Sequence, residues 1–186
     1  MSDASPRGLK PALYTGRLAG WLARKRVPLG FVATLMTIVL ARPTWETWRA
    51  GLLVAIAGEA IRVWAAGHLE KSREVTRSGP YRWTAHPLYV GSSILALGVV
   101  IAAGSWPVTV LAAVYMGSTI TAAVRTEEAF LRRTFGDTYD RYQQSQAEPM
   151  VRRFSLERAL RNREYRAIAG LVIGFGLLAL KVLLPI

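Results

Sequence analysis

Between Arg82 and Arg125 the chain carries no Lys, Arg, Asp or Glu, only His86. An uncharged stretch of that length has little reason to stay in water. From Pro87 to Val124 it runs for 38 residues, about 57 Å as one helix at ~1.5 Å per residue, whereas the hydrocarbon core of a bilayer is ~30 Å thick. One helix is too long, and two fit. Gly104-Ser105-Trp106-Pro107 stands at the middle of the run, carries turn residues and puts a tryptophan where an interfacial anchor belongs. The spacing predicts a helical hairpin. His86 lies 19 residues before Ser105, and Glu127 lies 22 residues after it. The two limbs therefore end at similar depth and bring His86, Tyr89, Glu127 and Glu128 to one membrane face.

The rest of the chain fits one integral-membrane domain over residues 1–186. It is 52% hydrophobic, has no cysteine and carries a net charge of +12. Without cysteine, disulfides, thiolate nucleophiles and Cys-containing metal sites are excluded. The basic residues flank apolar runs rather than covering a soluble surface, so anionic lipid headgroups are the expected partner and nucleic acid is not. Residues 1–26 form a polar flank with no secretory signal, and the first span is expected to be retained. Val27 to Ala41 reads as a short first span, Arg42 to Arg49 as a loop holding Trp45 and Trp48, and Ala50 to Gly67 as the second span. The hairpin supplies the third and fourth spans, the latter continuing as a helix to about Phe135. Gly136 stops it, and Asp137 is the expected N-cap of a short turn carrying Tyr139 and Tyr142. Residues 150–166, rich in Arg with apolar residues between, read as an interfacial helix. Ala167 to Ile186 is the last span, with Gly170-x-x-x-Gly174 expected to allow close helix contact. On one side lie 21 basic residues and on the other only Arg42, Arg49 and Lys181, which places the N-terminus and the His86 end in the cytoplasm.

Gly79-x-Tyr81, His86-Pro87-x-Tyr89-x-Gly91, Glu127-Glu128 and Phe135-Gly136-x-x-Tyr139-x-x-Tyr142 together resemble the isoprenylcysteine carboxyl methyltransferase family and its phospholipid methyltransferase relatives. Gly58-Glu59-x-x-Arg62 resembles a segment of the eukaryotic carboxyl methyltransferases. The likeness covers roughly residues 58–145 and leaves the span at 167–186 outside it. One departure is Ala85, where the family often has arginine before the histidine; any cofactor contact made by that arginine is lost or supplied elsewhere. The apolar runs add up to an all-α polytopic membrane bundle of about five spans, and the resemblance implies S-adenosyl-L-methionine as cofactor, in a cytoplasmic-side pocket. It carries the cofactor role to His86, Pro87, Tyr89, Gly91, Glu127 and Glu128, and supports a catalytic role for Arg62, beside Glu59.

The residue chemistry agrees with that reading. Carboxylates suit the ammonium or ribose hydroxyls of the cofactor, and His86 and Tyr89 offer donors and ring surface. Pro87 fits a first helical turn, where a missing amide hydrogen costs nothing, and Gly91 leaves room for a ligand or a neighbouring helix. Taken singly, each residue has a structural explanation: an interfacial histidine, an aromatic-belt tyrosine, a Glu128–Arg132 helix pair. Glu59 and Arg62 are costly in lipid, an arginine by ~2.5–3.5 kcal/mol, and share a helix face. They read equally as a structural ion pair or as the seat of a substrate. An acceptor carboxylate, as on a prenylated or other lipophilic substrate, needs no general base, whereas an aminophospholipid must lose a proton to His68, His86 or a glutamate. A membrane reductase using NADPH and a non-catalytic membrane protein or small transporter are the alternatives of other classes.

Overall fold

The computed structural model describes residues 17–148 and 150–184; the basic flank expected over the first residues lies largely outside this range. Among the described residues the chain forms helices joined by turns and loops. These are α1 Arg17–Leu40, α2 Trp45–Ala66, α3 Pro87–Ala103, α4 Trp106–Phe135, α5 Asp137–Gln143, α6 Leu156–Arg161 and α7 Tyr165–Leu183, with a 3-10 turn at Gly79–Arg82. By length and composition α4 and α7 are able to cross a membrane, and Pro28–Leu40 and Pro87–Ala103 are shorter apolar helices.

The hairpin forms as the sequence predicts. Gly104 takes a left-handed conformation (φ 55°, ψ 33°) that ends α3, its N–H donating to the Ile101 carbonyl. At 30 residues α4 is about 45 Å long, so its last turns run beyond any ~30 Å apolar layer and carry Glu127 and Glu128 with them. Each limb finds a different partner, however: α3 packs mainly along α2, and α4 mainly against α1.

The α2–α3 contact is backbone against backbone. A Cβ on Gly58 would meet the Leu95 amide and the Gly91 carbonyl, and one on Gly98 would lie 2.5 Å from the Ala55 nitrogen. Gly51 faces Gly98 and Ala102 in the same way. This is the close approach that small residues permit between apolar helices. The sequence reading assigned that role to Gly170 and Gly174 instead, yet neither has a neighbour within 4 Å of its Cβ position. Small size allows close contact only where a second helix presents backbone, and α7 packs on α2 through larger side chains.

Two other expectations shift. α2 begins at Trp45, so Trp45 and Trp48 are helical rather than in a loop, because Thr44 and Thr47 form a reciprocal capping box. α1 extends upstream to Arg17, since its basic residues are good helix formers.

The helix ends gather in two layers. At one end the Arg42 amide donates to the Ala103 carbonyl at 2.7 Å and Trp48 Nε1 to the Phe175 carbonyl at 2.9 Å. Lys181 Nζ there donates to the carbonyls of Ile38 and Val39, both at 2.8 Å. At the other end, the loop after α2 is fastened to residues 152–162. Arg152 forks onto Glu74 at 2.6 and 2.8 Å, Arg158 bonds Glu70 at 2.9 Å, and Asn162 Nδ2 donates to the carbonyls of Ala66 and Leu69, each at 2.9 Å. The expected interfacial helix over 150–166 is thus only a six-residue α6 within a strap. Arg152 and Arg158 turn inward because acidic partners and the free carbonyls ending α2 lie within reach.

Candidate functional site

Pro87 begins α3 and His86 is its N-cap residue, so the imidazole stands at the base of the hairpin. It meets the extension of α4 there: His86 Nε2 lies 3.3 Å from Glu128 Oε1, and His86 Nδ1 lies 4.0 Å from Glu127 Oε2. Tyr89, one turn along α3, has its ring centre 5.8 Å from that of His86. Because an ionised carboxylate only accepts, His86 Nε2–H is the donor in its contact with Glu128. The cluster leaves a buried ring nitrogen, His86 Nδ1, without a hydrogen bond beside a carboxylate, that of Glu127, that is open to solvent.

α5 braces the cluster from below. Gly136, at φ 46° and ψ −124°, turns the chain sharply in a conformation disfavoured for residues with a Cβ. Asp137 is the first residue of α5 rather than its cap; Gly136 holds that position without a side-chain hydrogen bond. Tyr139 is fully buried, and its hydroxyl accepts from Gln143 Nε2 at 2.8 Å. Gln143 also reaches Glu128 Oε1 at 3.5 Å. The Tyr142 hydroxyl donates to the Tyr81 carbonyl at 2.6 Å, and burial, with Tyr139 adding to it, pushes its pKa up to about 12. Tyr142, with the Tyr139 ring packed beside it, thus holds the loop that leads into His86. Tyr81 itself is buried, and its pKa is raised by desolvation and then by the charge of Glu127.

Arg62 forms a second cluster, one that reaches α3 and α7 from α2. Its Nε lies 3.3 Å from Glu59 Oε2, its NH1 donates to Ser92 Oγ, and its NH2 contacts both Glu164 oxygens at 3.1 and 2.9 Å. Gly91 packs against the Arg62 side chain and the Gly58 carbonyl, so it serves the helix approach that its size allows. Glu59 and Glu164 are 6% and 7% exposed, which makes this a buried group of two carboxylates on one guanidinium. Beside Glu59 an open, largely apolar groove of about 510 Å³ runs between α2, α7 and Phe154, lined by Ile56, Ala60, Val63, Trp64, Ile168 and Leu171.

His68, considered from sequence as a base, belongs to neither cluster. It is buried against Gly79, with Nδ1 3.1 Å from Ser78 Oγ. Desolvation, together with the charges of Arg158 and Arg152, lowers its pKa. Ser92 and Glu164 escaped the sequence reading. Ser92 is one of many helical serines, while Glu164 lies 102 residues from Arg62. Its one signal is an acid set among arginines directly before the last apolar run. Among the described residues no three His, Asp or Glu side chains are grouped to hold a metal ion.

Residues 50–138 match the phospholipid methyltransferase family. The chain is 30% identical over 149 residues to the cobalt-zinc-cadmium resistance protein CzcN of Cupriavidus metallidurans, a match spanning 73% of this chain and 68% of that one. It is 33% identical over 86 residues to protein-S-isoprenylcysteine O-methyltransferase of Schizosaccharomyces pombe, covering 46% of this chain and about a third (36%) of the yeast protein. The nickel-cobalt-cadmium resistance protein NccN of Alcaligenes xylosoxydans xylosoxydans is 26% identical over 145 residues, 71% of this chain and 68% of its own. No solved structure matches. The matched segment contains the Arg62 pair, the hairpin and the His86–Glu128 cluster, and the chain belongs to the family of phospholipid methyltransferases and related isoprenylcysteine carboxyl methyltransferases.

Proposed function

We propose that this chain is an integral-membrane methyltransferase that uses S-adenosyl-L-methionine and methylates a lipophilic acceptor bearing a carboxylate. The observation that carries the reading is the meeting of His86 with Glu127 and Glu128 across the two hairpin limbs. The side chains fit the cofactor: His86 keeps one ring nitrogen without a hydrogen bond, the exposed Glu127 carboxylate suits an ammonium or a ribose edge, and Tyr89 adds ring surface. Pro87 fixes the start of α3 under the imidazole, and Gly91 brings Arg62 against the same helix. When bound, the sulfonium supplies a methyl group open to in-line displacement.

The chain's own residues then position the acceptor. Arg62 orients the acceptor carboxylate through paired hydrogen bonds, a geometry that Lys does not reproduce. Glu59 pairs with the guanidinium, and the open apolar groove beside Glu59 takes the tail. An acceptor carboxylate is already anionic near neutral pH, so no base is required. The yeast relative is named for O-methylation of isoprenylcysteine, which supports a carboxylate over an amine. In this reading α1, α2, α3, most of α4 and α7 span the bilayer. The N-terminus and both clusters lie on the cytoplasmic side, which the 21-against-3 distribution of basic residues supports.

Calorimetric titration of the detergent-extracted protein with S-adenosyl-L-methionine tests this. Binding is expected, and weakening by Glu128→Gln and His86→Ala with the melting curve retained. Binding of NADPH in its place would overturn the reading. Equal cofactor affinity in both variants would return these residues to structural roles.

A further inference from the structure

The Arg62 guanidinium is hydrogen-bonded at NH1 to Ser92 and at NH2 to Glu164, while Nε lies 3.3 Å from Glu59 without a hydrogen bond. The Glu164 contact, two carboxylate oxygens within 3.1 Å of one guanidinium nitrogen, is the kind of contact an acceptor carboxylate would make. Glu164 is delivered there by a constrained turn. Asn162 is held to the Ala66 carbonyl that ends α2 and to the Leu69 carbonyl just beyond it, Arg163 takes a left-handed φ of 64°, disfavoured for a residue with a Cβ, and Glu164 follows at the head of α7. The open apolar groove that would take an acyl or prenyl tail reaches this group at Glu59 and runs along Ile56, Val63 and Ile168.

Charge decides how a ligand carboxylate enters this group. Glu59 and Glu164 already place two buried carboxylates on one guanidinium. Adding a third without removing one would stack like charge where solvent screening is weak. Exchange costs less than addition. Glu59 sits in mid-helix on α2, locked by the glycine contact with α3, whereas Glu164 follows a short, strained turn with an exposed residue on either side. Glu164 is therefore the carboxylate that can leave.

We propose that Glu164 is the resident occupant of the acceptor-carboxylate seat on Arg62, and that a lipophilic acid binds by exchanging its own carboxylate for that of Glu164. Calling the ligand an acceptor rests on the methyltransferase reading; the exchange is a binding event and can be measured without turnover. Glu164 then sets selectivity. It keeps the guanidinium paired until an acid with a tail long enough to fill the groove competes it away, so short soluble acids bind poorly.

The test is the affinity of the full-length, detergent-extracted protein for a prenylated cysteine analogue with a free carboxylate, compared with the methyl ester of the same compound. Removing an internal competitor raises apparent affinity by the inverse of the fraction of time the seat is free. Glu164→Gln is thus expected to bind the acid about tenfold more tightly, with ester affinity unchanged. Glu164→Asp, which keeps the charge but withdraws it by one methylene, is expected to tighten acid binding less, and it decides the matter if the Gln variant does not fold. Acid affinity that is unchanged or weaker in a folded variant, or absent from wild type and variants alike, would overturn the exchange. Titration with S-adenosyl-L-methionine in parallel separates the two readings. Acid exchange without cofactor binding leaves Glu164 in its role and removes the methyltransferase assignment, whereas cofactor binding with indifferent acid affinity does the reverse.

Discussion

The Tyr142 hydroxyl donates to the Tyr81 carbonyl at 2.6 Å and also lies 3.2 Å from the Thr84 carbonyl. It ties α5 to the loop that sets the position of His86. Buried hydrogen bonds of this kind contribute about 0.5–1.5 kcal/mol net, and more when a carbonyl is left unsatisfied. Tyr142→Phe is expected to lower the melting temperature by a few degrees and to weaken S-adenosyl-L-methionine binding several-fold, while Arg62-dependent acid binding stays nearly constant. A calorimetric comparison of the two ligands checks this. Equal losses for both would mean that α5 supports the whole bundle rather than the His86 end.

Gly58 is the tightest test of the helix contact. Its Cβ position faces the Leu95 amide and the Gly91 carbonyl, which are backbone groups that cannot rotate away. Overpacking of this kind costs typically 1–3 kcal/mol, so Gly58→Ala is expected to be clearly less stable in a thermal melt. Gly170→Ala, at a position open in the fold, is expected to change little or to stabilise slightly, since alanine is the better helix former. Similar melts for both variants would contradict the packing.

His68 makes the fold acid-sensitive. Its folded-state pKa lies below the ordinary 6.5, chiefly through desolvation and then through Arg158 and Arg152. Above pH 6.5 the ring is neutral whether the chain is folded or not, and no penalty arises. As pH falls below 6.5 the unfolded chain takes up the proton first, so stability drops until the folded value is reached. Unfolding followed from pH 7.5 to 5 should show this loss. His68→Gln should flatten that part of the profile, and an unchanged slope would assign it to other groups.

Single cysteines can be placed at will in a chain that has none. Cysteines at positions 10 and 145 are expected to react only with reagent from the cytoplasmic side, and one at 105 only from outside. The opposite pattern would invert the orientation.

The hairpin was legible from sequence because absence of charge is a strong signal in an apolar solvent, and Gly104 with Pro107 marked its turn. The convergence of His86 with Glu127 and Glu128 followed from the similar distances of His86 and Glu127 from the turn. Helix partners were not legible in the same way. The seven-residue spacing of Gly51 with Gly58, repeated by Gly91 with Gly98, was a readable sign of the α2–α3 contact, yet Gly170 and Gly174 carry the better-known spacing and face no backbone. Arg62 was visible as a costly residue needing a partner. Glu59 was only the nearer of two, since one-dimensional spacing reveals helix neighbours and conceals a carboxylate that arrives from another helix. The arginines of 150–166 were assigned outward because composition alone does not tell a lipid-facing cation from one that caps a helix end.

Lys181 bears on how such a chain is made. Its ammonium satisfies two carbonyls at the end of α1, 143 and 142 residues earlier in the chain. During synthesis those carbonyls lack this donor until α7 has been made and is in place. α1 is thus finished by α7, and a nascent chain arrested before residue 181 would hold α1 without that fastening.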